Sequence, residues 1–206
     1  MSKNIDKNEL LKEFLKSLST NKWTNINYSS VVLKSSSSEA IWSSNFPLKL
    51  RDLTTFFISK SLENIQLPIR EQFIEMKTQE RLETILISYL NQFKDNKLII
   101  KRLVEHFKSP ESLVSTPESI YAISDKFWNL IEDSSVDFNF YTKRFILMSV
   151  IVPTTLFWIE DTSDNNLNTI EYMKKCFKRS MKIGKIKNKI KAVSYTHLTL
   201  PTSYAV

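Results

Sequence analysis

The residue types that usually carry covalent or metal chemistry are scarce in this chain. Its 206 residues include one cysteine, Cys176, and two histidines, His106 and His197. A zinc site draws its ligands from clustered Cys and His. A di-iron bundle needs two Glu-x-x-His pairs. Neither set can be assembled here, and no nucleophile–base pair stands out, so the reading is of a non-enzyme with no catalytic residue, metal or cofactor. His106 falls near the end of a helical stretch and reads as a solvated helix-terminal residue rather than a ligand. A lone cysteine excludes a disulfide framework and points to a reducing compartment.

Binding chemistry remains, in two stretches. The first runs from Asp137 through Phe138, Asn139, Phe140, Tyr141, Thr142, Lys143 and Arg144, then continues from Phe145 to Ile159 without a charge. Asp137 is a plausible N-cap, and the charge-free run reads as a core helix buried all round. Fifteen residues are too few to span a bilayer, which needs about 20. Pro153 inside the run predicts a kink, which either serves packing alone or leaves room between neighbouring helices, with Thr154 and Thr155 satisfying the freed carbonyls. The run by itself leaves open whether this helix also walls a cavity for an apolar ligand.

The second stretch is basic. Lys174 to Lys191 holds nine Lys or Arg and no acid; the remaining 20 cations face 22 acids, a net of −2. The formal charge of +7 therefore belongs to one segment. A basic amphipathic helix of this kind suits an anionic membrane surface, with Lys174, Lys175, Phe177, Lys178, Arg179 and Lys182 as the contact. Aromatic residues for base stacking are nearly absent there, which disfavours nucleic acid.

These stretches must be positioned by helices. A single glycine argues against sheet folds and phosphate loops that need positive φ or close backbone approach. Apolar spacing predicts helices over Asp6–Leu18, Asn27–Leu33, a short one around Ala40–Trp42 with a Ser36–Glu39 capping box, Pro47–Ile65, a continuous stretch from Pro68 to Phe93, Leu98–Phe107, Pro117–Glu132, and a last one from Asn166. The class is all-α. One helix, two short helices and a long one form the helix-turn-helix layout at the head of TetR-type regulators. The would-be recognition segment Ser36–Asn45 has no Lys or Arg and carries Glu39, so it lacks the cations that phosphate contacts need. The head reads as a retained, vestigial scaffold; a ligand-sensing DNA-binding regulator is the alternative.

The expected divisions are a head over 1–66, a ligand-binding core over 67–163, a basic helix over 164–192, and a foreign end over 193–206. The run from Val193 to Thr202, back-translated, resembles a transposase mosaic end with its sequencing adapter, and is set aside. The amino terminus mixes Lys and Glu without an apolar signal core, which predicts a cytosolic chain.

The decapeptide Ser135–Arg144, followed by an apolar helix and then Asp161-Thr162-Ser163, resembles the hallmark of the ubiquinone-biosynthesis accessory family formed by the ninth Coq protein and its bacterial relatives. The resemblance implies a TetR-like all-α fold and a non-catalytic protein that binds isoprenoid or quinone lipids in an apolar cavity, with Phe145, Met148, Ser149, Val152 and Leu156 as its expected lining. It also implies contact with the membrane through the last helix and with the demethoxyubiquinone hydroxylase. The partner patch would comprise Asp137, Phe140, Tyr141, Lys143 and Arg144. The family usually has Trp where this chain has Phe140, which keeps hydrophobic area but removes an indole donor. The place of work would be the inner membrane, on its cytoplasmic face in a bacterium or its matrix face in a mitochondrion. Monomer and homodimer are both left open.

Overall fold

The structure, a computed structural model, describes residues 6–133 and 137–180, without the side chains of Asp137 and Phe138. Among the described residues every regular element is helical. They are α1 Lys7–Ser17, α2 Asn25–Lys34, α3 Glu39–Asn45, α4 Leu50–Glu63, α5 Arg70–Glu75, α6 Thr78–Asn91, α7 Lys97–Phe107, α8 Ser115–Leu130 and α9 Asp137–Glu160. A tenth helix, α10, covers residues 167–180. The amphipathic spacing read from the sequence is what buries each inward stripe.

The first three helices pack around aromatic rings. Asp6 caps α1 by accepting from the Asn8 backbone N–H at 3.2 Å. Leu10 and Phe14 of α1 are fully buried. Trp23 stands edge-on to Phe14 and to Phe57 of α4, and its Nε1 donates to Thr54 Oγ1 at 2.9 Å. Tyr28 and Trp42 make a second edge-on pair. Helix α4 thus belongs to the head by one face, while its other face packs on α8 and, through Ser61 and Tyr89, meets α6. The latter joins α6, α7 and α9 in the main bundle, with α8 against α9 the most extensive pairing.

Several boundaries differ from expectation. Pro47 precedes α4 rather than starting it, because the chain first turns at Lys49, with φ 53° and its N–H donating to Phe46 O. The stretch from Pro68 to Phe93 breaks at Met76 and Lys77, whose extended backbone ends α5 and starts α6. The capping box at Ser36 does not form. Ser38 takes the cap position of α3, and the hydroxyls of Ser35 and Ser36 donate to Glu13 of α1. Left-handed backbone occurs at Lys49, Glu132, Asn165 and Asn166, none of them glycine.

Helix α9 is not buried all round. Leu147, Val150, Ile151, Thr154 and Trp158 are buried, but Tyr141, Phe145, Val152 and Leu156 are exposed. A helix of 24 residues is about 36 Å long, and its neighbours cover only one side. Counted from Asn139 to Glu160 it has the length and apolarity to cross a bilayer, which the fifteen-residue count had excluded. Here it is a bundle helix, because its Arg144 is fully buried against α8. The helix passes through Pro153 without a break. The carbonyl left without its helical donor is that of Ser149, which lies on the exposed face. Thr154 does not compensate: its Oγ1 is buried without a partner.

A candidate lipid site behind a buried charge cluster

The amino-terminal part of α9 is held by charge. Arg144 has a side chain 1% exposed. Its Nε donates to Asp125 of α8, its Nη1 donates to Phe140 O at 3.1 Å, and its guanidinium lies 3.2 Å from the Phe140 ring centroid. Lys143 pairs with Asp133 at 2.6 Å and sits over the Trp128 ring. Ser124 donates to Arg144 O at 2.9 Å. A guanidinium this deep needs pairing to offset its desolvation. Sequence reading placed both cations on an outward partner patch; Arg144 faces inward, and Lys143 is turned onto α8 and the chain after it. Their role in the fold is to clamp the start of α9. The clamp presents Tyr141, 57% exposed, with half-buried Phe140 edge-on at 5.2 Å. The side chain of Asp137 lies outside the described residues.

The second half of α9 walls an apolar cavity of about 190 Å³. Tyr89 comes from α6, Ile100 and Val104 from α7, Ile123 from α8, and Val152 and Leu156 from α9. Burial raises the Tyr89 phenol above its usual range, against a hydrogen bond with Ser61 that lowers it. Of the five expected lining residues, Val152 and Leu156 are there. Phe145, Met148 and Ser149 are not. Phe145 lies on the exposed side next to Tyr121 of α8, and the Ser149 hydroxyl donates to Ile146 O of its own helix. Sequence reading missed the α7 and α8 walls. Their apolar stripes were visible, but which of them would face α9 depends on helix rotation, which periodicity alone leaves open. The cavity is smaller than the roughly 300–1,000 Å³ of sites for drug-sized ligands. It accommodates part of a chain, or more if the helices spread.

The corner from α9 to α10 is built on Asp161. Its carboxylate accepts from the N–H of Ser163 and of Thr169, both at 2.9 Å, and from Thr169 Oγ1 at 2.5 Å. Burial pushes its pKa up, but the hydrogen bonds from Thr169 and Ser163 outweigh it and bring it down to about 2. Lys97 closes the corner from the other side: its Nζ donates to Trp158 O at 2.8 Å and to Asp161 O at 2.6 Å. The Asp161-Thr162-Ser163 motif is therefore a helix cap.

Helix α10 turns its apolar side inward. Met173, Cys176 and Phe177 are buried, and Tyr172 stacks on Phe157 at 4.5 Å. Phe177 is thus a core residue, not the expected membrane contact, because the α9–α10 corner folds the helix back onto the bundle. Lys174, Lys175, Lys178 and Arg179 are exposed. Lys182 and the adapter-like run lie outside the described residues. His106 also differs from expectation. It is buried beneath the head, and burial lowers its pKa against the opposing effects of Glu111 and the Trp23 backbone. Among the described residues no group of three His, Cys, Asp or Glu could hold a metal.

Comparison with known proteins places this region in context. Residues 114–184 match the COQ9 family model. The chain is 26% identical over 153 residues to a probable mitochondrial ubiquinone biosynthesis protein coq9 of Dictyostelium discoideum, covering 68% of this chain and 48% of that one. It is 24% identical over 122 residues to human mitochondrial ubiquinone biosynthesis protein COQ9, covering 59% of this chain and 36% of the relative. For mitochondrial coq9 of Schizosaccharomyces pombe the identity is 23% over 145 residues, covering 70% and 58%. The chain thus spans between about one third and three fifths of the length of these relatives. A TetR transcriptional regulator from Nitrosomonas europaea superposes with a TM-score of 0.61 at 10% identity, over 85% of this chain and 97% of that one. The fold is TetR-like.

Proposed function

We propose that the chain, whose residues 114–184 match the COQ9 family model, is an accessory factor of ubiquinone biosynthesis. It binds isoprenoid or quinone intermediates at a membrane and presents them to the demethoxyubiquinone hydroxylase, without catalysing a step itself. One coincidence carries this reading. The family match and the apolar cavity fall on the same helices, since α8 and α9 supply the match and much of the wall. Burial of an apolar tail there is favourable by about 25 cal/mol per Å². Tyr141 and Phe140, held by the Arg144 clamp, form the face offered to the hydroxylase. The exposed cations of α10 attract an anionic leaflet, on the matrix face of the inner membrane in a mitochondrion or the cytoplasmic face in a bacterium.

Mass spectrometry of lipids that co-purify with the whole chain tests the reading. Quinone or isoprenoid species are expected, and Ile151→Trp, which fills the cavity, should remove them. Retention of the same lipids by that variant would place the ligand elsewhere. Liposome flotation with Lys174, Lys175, Lys178 and Arg179 changed to Glu tests the membrane contact. The regulator alternative has the fold but not the charge, since α3 exposes Glu39 and bears no Lys or Arg. A gel-shift titration at physiological salt should find no sequence-specific DNA complex.

A further inference from the structure

The apolar cavity has one charged lining residue, Lys108, which caps the carboxyl end of α7 and is exposed. The other cations of α7 are engaged. Lys97 is bound at the α9–α10 corner, Lys101 pairs with Glu160 at 2.9 Å, and Arg102 with Glu105 at 2.9 Å. Among the described residues Lys108 is in no ion pair. The acids near it in sequence are already held elsewhere: Glu105 by Arg102, and Glu111 by the Asn25 amide of α2 at 2.9 Å. An ammonium on a long apolar stem can cover the rim of such a cavity while its head stays in water. That leaves a cation without a protein partner at the edge of an otherwise uncharged apolar space.

We propose that this cavity takes an amphiphile with an anionic headgroup, its tail among Ile123, Ile151 and Leu156 and its head paired with Lys108. The inference rests on the lipid-binding reading above and names the ligand class. A carboxylate lipid and a prenyl phosphate share the required chemistry. The pairing is charge-assisted but solvent-facing, so its strength is modest.

Calorimetric titration of the whole chain at low salt with two matched pairs, octanoate against 1-octanol and geranyl phosphate against geraniol, tests this. The anionic member of at least one pair should bind about three- to tenfold more tightly. Preference in the first pair identifies carboxylate lipids as ligands; preference in the second identifies prenyl phosphates. Lys108→Gln should erase the preference and leave alcohol binding unchanged, and Lys108→Glu should reverse it. Equal binding within both pairs, or a preference that survives Lys108→Gln, overturns the headgroup assignment while leaving the lipid site standing. Loss of all binding, or full binding by a folded Ile123→Trp variant, overturns the lipid site itself.

Discussion

Helices α9 and α10 each cover a different share of apolar surface than their composition suggests. Helix α9, free of charge from Phe145 to Ile159, leaves Tyr141, Phe145, Val152 and Leu156 at the surface, whereas the lysine-rich α10 buries Met173, Cys176 and Phe177. Composition states how much apolar surface a helix has. Which part is covered depends on neighbours that lie far away in sequence. The corner at Asp161 folds α10 onto the bundle, and no described helix covers the outer face of α9.

The largest expected effect that could break this contrast is at Phe177. Phe177→Ala should lower stability in urea unfolding by about 4 kcal/mol, as for other buried Phe truncations. A loss below about 1 kcal/mol would mean that α10 leaves the core in solution. Arg144→Met should lose about 3 kcal/mol, the lower end for breaking a buried pair, because the Asp125 carboxylate left behind is partly exposed and keeps the Asn129 amide as donor. If Arg144 instead contacted a partner, stability would hold and only hydroxylase binding would fall. Asp161→Asn should lose about 1 kcal/mol by linkage, after allowance for solvent screening, and flatten the acid limb of the stability profile. The sign follows from the lowered pKa. Above pH 4 the stabilisation is fully present. As pH falls from the ordinary 3.8 toward about 2, the unfolded chain binds a proton that the folded one does not, and the stabilisation is lost. The smallest effect is at Phe145. Phe145→Ser should change stability by no more than about 0.5 kcal/mol and leave cavity lipids in place. Leu156→Ser, at the rim, should reduce them.

Much of the fold was legible. Leu10, Phe14 and Leu18 predicted α1, and Ile123 and Phe127 predicted α8, because burial on one face imposes helical spacing. The decapeptide ending at Arg144 marked the start of α9, where the charge cluster lies. The inward turn of Arg144 was not legible, since its partner Asp125 lies on another helix and nothing local distinguishes it from a surface cation. Val152 and Leu156 were found as cavity residues because they share a face. Phe145 shares it too, but lies nearly two turns from Val152, beyond the end of the cavity. The Ser36–Glu39 box failed because Glu13, from α1, competes for the same hydroxyls.

The left-handed residues at the corners bear on how the molecule can move. Asn165 and Asn166 adopt φ 51° and 57° between α9 and α10, where many chains place glycine. A side chain at such a position narrows the backbone's choices in both the folded and the unfolded chain. Asn166 is further tied to Asn91 of α6 at 3.1 Å. The joint therefore has little freedom to flex residue by residue. Any departure of α10 toward a lipid surface would have to undo the cap at Asp161 and the clasp at Lys97 together, which favours a two-position hinge over a gradual one.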